Sequence, residues 1–251
     1  MYRGARVAVV IPAFNEARLL PRTLETLPAW VDVVVVVDDA SSDRTSACAR
    51  RAGPWSLEVI RHAFNQGVGG AIVTGYKRAL ALHADVAVVV GADAQMEPAE
   101  MHTLIDATID DRAGYAKGDR LGDPRLWRRM PLSRLVGNFA LSRLTALATG
   151  LSHVRDSQCG YTAITADALR RVPLDALYRR YGFPNDLLSW LAVAGVRVVD
   201  RPVTPIYATE TSGIRIPRVV LPLLGLLARA LGRRILAAWP ARRALERVRG
   251  A

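Results

Sequence analysis

Residues 7–11 form an unbroken apolar run of strand length, and Val33 to Val37 are five consecutive valines that end at Asp38-Asp39. Runs that are apolar at every position, not at alternate ones, suit strands covered on both faces. Between them Leu19, Leu20, Leu24 and Leu27 recur at helical spacing, so a helix is expected over residues 16–27. After the valines Ser42 or Asp43 can cap a helix reaching Ala52. The alternation continues with a strand over 57–61, a helix over 70–82 and a strand over 85–90 that stops at Gly91-Ala92-Asp93-Ala94-Gln95. Strands alternating with helices predict an α/β fold, a mostly parallel, Rossmann-like central sheet flanked by helices and joined by right-handed crossovers.

Beyond residue 115 the pattern loosens. It predicts strands over 115–118 and 161–165, helices over 132–149 and 185–194, and short extended pieces over 197–200 and 203–207. Neither a repeat nor a linker interrupts it, so residues 1–210 are read as one domain. Residues 211–251 differ. Leu, Val, Ile and Ala dominate 214–239, yet the longest uncharged stretch, 219–228, is half of the roughly 20 residues a membrane-spanning helix needs. On a helical wheel Arg215, Arg218, Arg229 and Arg233 fall within about 60° of one another, Arg234 being the exception, and the rest of the circumference is apolar. This is the pattern of an amphipathic helix lying in a membrane interface. Packing against the domain's own core is the alternative, and Pro222 predicts a break.

Charge sharpens that picture. The 251 residues carry 34 Lys plus Arg against 23 Asp plus Glu, a formal +11, and only Lys77 and Lys117 are lysines. Nine arginines from Arg215 onward face Glu246 alone, a local excess of eight that leaves the remainder near +3. A basic tail of this kind is drawn to an anionic leaflet by about 1 kcal/mol per cation. A nucleic-acid module would also explain the charge, but no nucleic-acid motif is present and aromatics make up only 6%. A hydrophobic fraction of 51% with 23% charged residues excludes a disordered chain. Cys48 and Cys159 lack metal-ligand spacing and imply no disulfide framework. The apolar run after residue 6 stops at Pro12, too short for a signal peptide. The expected setting is therefore the cytoplasm, peripherally on the inner face of the cell membrane.

In open parallel sheets ligands bind at the carboxyl ends of the strands. Three predicted strands end there in polar clusters: Pro12-Ala13-Phe14-Asn15-Glu16, Asp38-Asp39-Ala40-Ser41-Ser42-Asp43, and Asp93-Ala94-Gln95. Carboxylates gathered around one crevice repel each other unless a cation sits among them, a need met by a divalent metal carrying a diphosphate. Known phosphate loops do not fit. Gly67-Val68-Gly69-Gly70 begins like a dinucleotide fingerprint, but the third glycine would fall at Ile72, and no P-loop occurs. Residues 65–70 either border a pyrophosphate with backbone N–H groups or make a tight turn.

Taken together, these segments resemble the family 2 glycosyltransferases of the GT-A fold, in particular the dolichyl-phosphate mannose synthase-like branch. Over residues 5–210 the matching elements are Val9-Val10-Ile11-Pro12-Ala13-Phe14-Asn15-Glu16, Val36-Val37-Asp38-Asp39-Ala40-Ser41-Ser42-Asp43, Asn65-Gln66-Gly67-Val68-Gly69-Gly70, Gly91-Ala92-Asp93-Ala94-Gln95, Lys117-Gly118-Asp119-Arg120, Asp156-Ser157-Gln158-Cys159-Gly160-Tyr161 and Phe183-Pro184-Asn185-Asp186-Leu187-Leu188. The resemblance implies inverting transfer of a sugar from a UDP- or GDP-sugar donor. It implies that Pro12, Ala13 and Glu16 line the nucleotide pocket, that Asp38 or Asp39 bonds the base or ribose, and that Asp93 and Gln95 hold Mg²⁺ or Mn²⁺ on the diphosphate. Gly91 stands where many relatives carry the first aspartate of an Asp-x-Asp pair. Lys117 and Arg120 would face phosphate charge, Gln158 the floor of the sugar and acceptor site, and Asp186 or Asp156 the acceptor. Apart from the resemblance, Arg125, Arg128, Arg129 and Arg134, with Trp127 and Met130, are dense enough in cation for an acceptor loop near a lipid headgroup, a plain surface loop being the equal alternative.

The acceptor decides the mechanism. A hydroxyl must lose a proton during attack and needs a base such as Asp186 or Asp156. A phosphate monoester, with a second pKa of about 6, is largely a dianion at neutral pH and needs cations more than a base. The arginines and the interfacial helix favour a polyprenyl phosphate at a membrane surface. A sugar or glycolipid hydroxyl is the alternative, and a catalytically inactive membrane scaffold a more distant one, motivated by Gly91. Whether the terminal helix builds a homo-oligomer is open from sequence.

Overall fold

The computed structural model describes residues 1–53, 56–122, 132–204, 206 and 216–249, without the side chains of 133, 134, 216–220 and 239–249. The expected acceptor-loop arginines Arg125, Arg128 and Arg129, the side chain of Arg134, and the expected domain boundary at 210–211 lie outside the described residues.

Seven strands form one sheet: β1 Val7–Ala13, β2 Val33–Asp38, β3 Leu57–Arg61, β4 Val86–Val89, β5 Tyr115–Asp119, β6 Thr162–Thr165 and β7 Val198–Pro202. Their order is β3-β2-β1-β4-β6-β5-β7, with β6 antiparallel to its two neighbours and every other pair parallel. The apolar runs behave as their pattern predicts. Ala8, Val10, Val33, Val35 and Val37 face one core layer, while Val7, Val9, Ile11, Val34 and Val36 face the other. Helices α1 (Leu20–Glu25), α2 (Thr45–Ala52) and α4 (Met101–Ile109) cover the second face. Helices α3 (Val68–Ala81), α6 (Ala166–Arg171) and α7 (Phe183–Val193) cover the first. Contact there is close, because a Cβ on Gly75 of α3 would lie 2.1 Å from Val10 Cγ1.

α1 is shorter than its leucine spacing predicts. The N–H groups of Asn15, Glu16 and Ala17 bond Ser41 Oγ, Thr45 Oγ1 and Asp43 Oδ2 across the crevice, and Asn15 adopts φ 59°. These residues are therefore held as a loop at the strand end, and the helix begins only after them. Asp43, expected as a cap, bonds Thr45 N at 2.9 Å and ties α2 to this loop.

Helix α5 (Leu132–Thr149) matches its predicted bounds, and α8 spans Ile216–Arg249. The break predicted at Pro222 is absent. α8 packs against α5 and α7, with Leu223, Leu226 and Ala230 buried, and this tertiary burial outweighs the one backbone bond a proline removes.

Candidate active site

The carboxyl ends of β1, β2, β4 and β5 meet along one edge. Parallel register sets Ala13 beside Asp38 and Val10 beside Val89. Because β6 runs the opposite way, the loop that enters it, residues 156–161, arrives at the edge where the parallel strands leave. The clusters expected at three strand ends are thus joined by a fourth, Asp156 to Gly160.

Pro12 and Glu16 are half-buried and Ala13 is buried. Asp38 and Asp39 are fully enclosed, and their carboxylates are engaged by the protein itself. Asp38 accepts from Ser41 N (2.8 Å), Ser46 Oγ and Arg61 Nη1 (2.8 Å). Burial pushes its carboxyl up, but the serine bonds and the Arg61 charge hold it below the ordinary carboxylate range. Asp39 accepts from Gln66 N (2.8 Å) and Gly67 N (2.7 Å), and its Oδ1 lies 2.7 Å from His62 Nδ1. It therefore pins the glycine-rich turn, where Gly67 has φ 91° and a Cβ would meet Arg179 O at 2.6 Å. Both carboxylates expected to bond base or ribose thus carry bonds within the protein as well. Arg61, the last residue of β3, and His62 after it carried no motif that marked them.

At the end of β4, Asp93 Oδ1 accepts from Gln95 N at 3.2 Å across Ala94, which is held at φ 54°. A Cβ at Gly91 would lie 2.7 Å from that same Oδ1. A side chain at position 91 would therefore require the Asp93 carboxylate to shift. Among the described residues no group of three or more His, Cys, Asp or Glu is placed to hold an ion. One carboxylate and one amide oxygen still fit a cation that completes its shell with diphosphate and water.

Lys117, expected to face phosphate, is fully buried, and its ammonium donates to the Cys159 carbonyl. Burial pulls its pKa down, against the opposing pull of Cys159, Asp156 and Asp200. Its strand neighbour in β7 is Asp200, a residue the motifs did not flag, whose carboxyl is pushed up chiefly by burial. Arg120 grips Asp156 with two bonds, Nε to Oδ2 at 2.7 Å and Nη2 to Oδ1 at 3.1 Å. Burial raises the Asp156 carboxyl, but the Arg120 charge and bonds carry it below the ordinary range. Gln158 donates its backbone N–H to Asp156 Oδ1 (3.1 Å) and its amide to Asn185 Oδ1 (2.8 Å) and Ser157 Oγ (2.8 Å).

Asp186, expected near the acceptor, is enclosed in the first turn of α7. Its Oδ2 accepts from Tyr178 N at 2.9 Å and its Oδ1 from Arg233 of α8 at 2.7 Å. This also corrects the wheel: Arg233 turns into the domain, only 19% exposed, while Arg229 is exposed; Arg215 and the side chain of Arg218 lie outside the described residues. Beside the Arg120–Asp156 pair lies a cavity of about 490 Å³ lined by Leu121, Leu135, Val136 and Phe139, with Arg143 and Arg155 among its walls.

A parallel sheet with one reversed strand, and acidic and cationic clusters at its carboxyl edge, is the GT-A architecture of nucleotide-sugar-dependent glycosyltransferases. The solved glucosyl-3-phosphoglycerate synthase from Mycobacterium tuberculosis, in complex with UDP, superposes with a TM-score of 0.65 at 18% identity, over 92% of this chain and 80% of that one. The same enzyme has been solved with Mn²⁺, UDP and its glucosylated product, again at TM-score 0.65. Residues 8–173 match glycosyl transferase family 2, and the chain belongs to that family. Among curated relatives, the undecaprenyl-phosphate mannosyltransferase of Micrococcus luteus is 35% identical over 79% of this chain and 83% of its own. The UDP-N-acetylglucosamine–dolichyl-phosphate N-acetylglucosaminyltransferase of Methanococcus voltae is 31% identical over 86% and 91%.

Proposed function

We propose that this family 2 glycosyltransferase moves a sugar, with inversion, from a nucleotide-sugar to a polyprenyl phosphate at a membrane surface. One observation carries the reading: both carboxylates expected to serve a hydroxyl acceptor as base, Asp156 and Asp186, are buried and held by arginines at 2.7 Å. A hydroxyl acceptor needs a base to take its proton; a phosphate dianion does not. The names of both relatives described above, which specify undecaprenyl and dolichyl phosphate, support the same choice, as does the mostly apolar cavity beside Leu121 and Arg155, which suits a lipid chain better than a water-soluble acceptor.

In this reading Pro12, Ala13 and Glu16 border the nucleotide, and the turn pinned by Asp39 closes its far side. Asp93 and Gln95 would hold Mg²⁺ or Mn²⁺, which supplies positive charge to the departing diphosphate. Arg120, fixed in direction by Asp156, meets the acceptor phosphate, with the buried Lys117 adding positive potential behind it. Gln158 orients sugar or acceptor oxygens. Helices α5 and α8, packed together, leave Val136, Phe139, Leu147, Leu221, Leu224, Leu231 and Ile235 exposed. No helix among the described residues is long and apolar enough to cross a membrane, so these faces suit lying in its surface.

The test is incubation of labelled UDP- and GDP-sugars with polyprenyl phosphate in anionic vesicles plus Mn²⁺. The expected product is lipid-extractable, and its rate falls on acidification through about pH 6, where the acceptor gains its second proton. Label found only in water-soluble saccharide, or donor binding with no turnover on any acceptor, overturns the proposal. Asp93→Ala should abolish the Mn²⁺-dependent thermal shift by the donor; an unchanged shift removes Asp93 from the metal site.

A further inference from the structure

The inward face of α8 is not merely apolar. Leu223, Leu226 and Ala230 are buried along it, and one turn further on Arg233 donates from Nη1 to Asp186 Oδ1 at 2.7 Å and to Ser189 Oγ at 3.1 Å. Its guanidinium carbon stands 4.2 Å from the centre of the Trp190 ring. A mainly structural docking helix has no need of a buried ion pair, since apolar side chains of the same volume stabilise as well or better. What such a pair does confer is direction: Asp186 is locked between a guanidinium on one oxygen and the Tyr178 N–H on the other.

The neighbour of Asp186 carries that direction into the site. Asn185 Oδ1 accepts from Gln158 Nε2 at 2.8 Å and from Thr145 Oγ1 of α5 at 2.9 Å. Gln158 in turn bonds Asp156, the carboxylate that aims Arg120. The segment that bears Asp186 also touches the donor side, where Arg179 O accepts from Gly70 N at 2.9 Å. α8 leans on it at Gly182, where a Cβ would meet Leu226 Cδ1 at 2.2 Å.

We propose that Arg233 is a positioning residue for the transfer reaction. Through Asp186 and Asn185 it sets Gln158, so the helix that lies on the membrane also aligns the floor of the acceptor site. The inference rests on the reading above that Gln158 lines that site.

The experiment is a double-mutant cycle with full-length R233L, Q158A and R233L/Q158A, with R233K beside them. Transfer kcat and KM are measured in vesicles at a temperature where circular dichroism shows each protein folded. R233L is expected to lower kcat about 10-fold or more, as small misplacements of reacting groups do, with donor affinity within about twofold of the parent. R233K, which keeps the charge, should recover most of that loss. In the Q158A background removing Arg233 should cost almost nothing more, because both changes break one chain of contacts. Losses that multiply, or a change confined to melting temperature, overturn the proposal. If R233L does not fold, the cycle of R233Q, which removes the charge but keeps a polar side chain, with Q158A decides in the same way. Side-chain amide NMR signals of Gln158 and Asn185 give a readout without any acceptor: they should move in R233L and R233Q and return toward the parent's in R233K, and signals that stay in place in R233L and R233Q refute the coupling even if the acceptor has been misassigned.

Discussion

Asp156→Asn removes the charge that Arg120 grips while keeping the shape of the side chain. The carboxylate is fully enclosed and the guanidinium 17% exposed, so solvent screens the pair little. Breaking such a pair from one side costs about 3–5 kcal/mol, because the remaining charge is left buried without a partner. Asparagine still offers one oxygen to the fork, which puts the expected loss near the lower end, about 3 kcal/mol. For a chain of this size that lowers the melting temperature by about 6–12 °C, readable by circular dichroism. Activity supplies the sharper test. If Asp156 only holds Arg120, transfer to polyprenyl phosphate should weaken mainly through a higher acceptor KM, and the acid limb of the rate profile should stay where the acceptor phosphate puts it. If Asp156 were the base for a hydroxyl, kcat would fall about 10²–10⁴-fold and the acid limb would vanish with the group that causes it. That second result, above all with an unchanged melting temperature, would refute the phosphate reading.

Two further outcomes follow from the fold. Gly75→Ala inserts a methyl where Val10 Cγ1 already lies 2.1 Å from the ideal position, so overpacking should cost about 1–3 kcal/mol in thermal or urea unfolding; an unchanged midpoint would mean α3 does not press on β1 as described. Asp38 and Asp156 are held below the ordinary carboxylate range in the fold. Each therefore contributes stability at neutral pH that is lost as pH falls from the unfolded value near 4 through the lower folded value, and a urea midpoint that stays flat between pH 5 and about pH 3 would contradict both assignments.

The sheet, most of its helices and the three polar clusters were legible along the chain, because burial on both faces demands apolar runs and ligand-binding strand ends demand polar breaks in them. Residues 33–37 illustrate the first rule and residues 93–95 the second. Side-chain allegiance was not legible. Asp38, Asp39 and Asp186 sit at motif positions that spacing identifies, but spacing does not say which groups from elsewhere in the chain each carboxylate bonds, a guanidinium for Asp38 and Asp186, His62 and two backbone N–H groups for Asp39. Arg61 lies 23 residues from Asp38 and Arg233 lies 47 from Asp186. Helical periodicity placed Arg233 with the outer arginines because a wheel has no knowledge of the acid waiting on α7.

By itself, then, the sequence determined the fold class, the strand ends at which polar clusters gather and the family, since these follow from local periodicity and from residue types adjacent in the chain. Only the tertiary structure decided the reversal of β6 that brings Asp156 and Gln158 to that edge, the burial of Lys117, the continuity of α8 through Pro222 and the pairing of both candidate bases with arginines. Each of these depends on contacts between distant segments, whose free energy is realised only when the elements pack, and no local pattern encodes it.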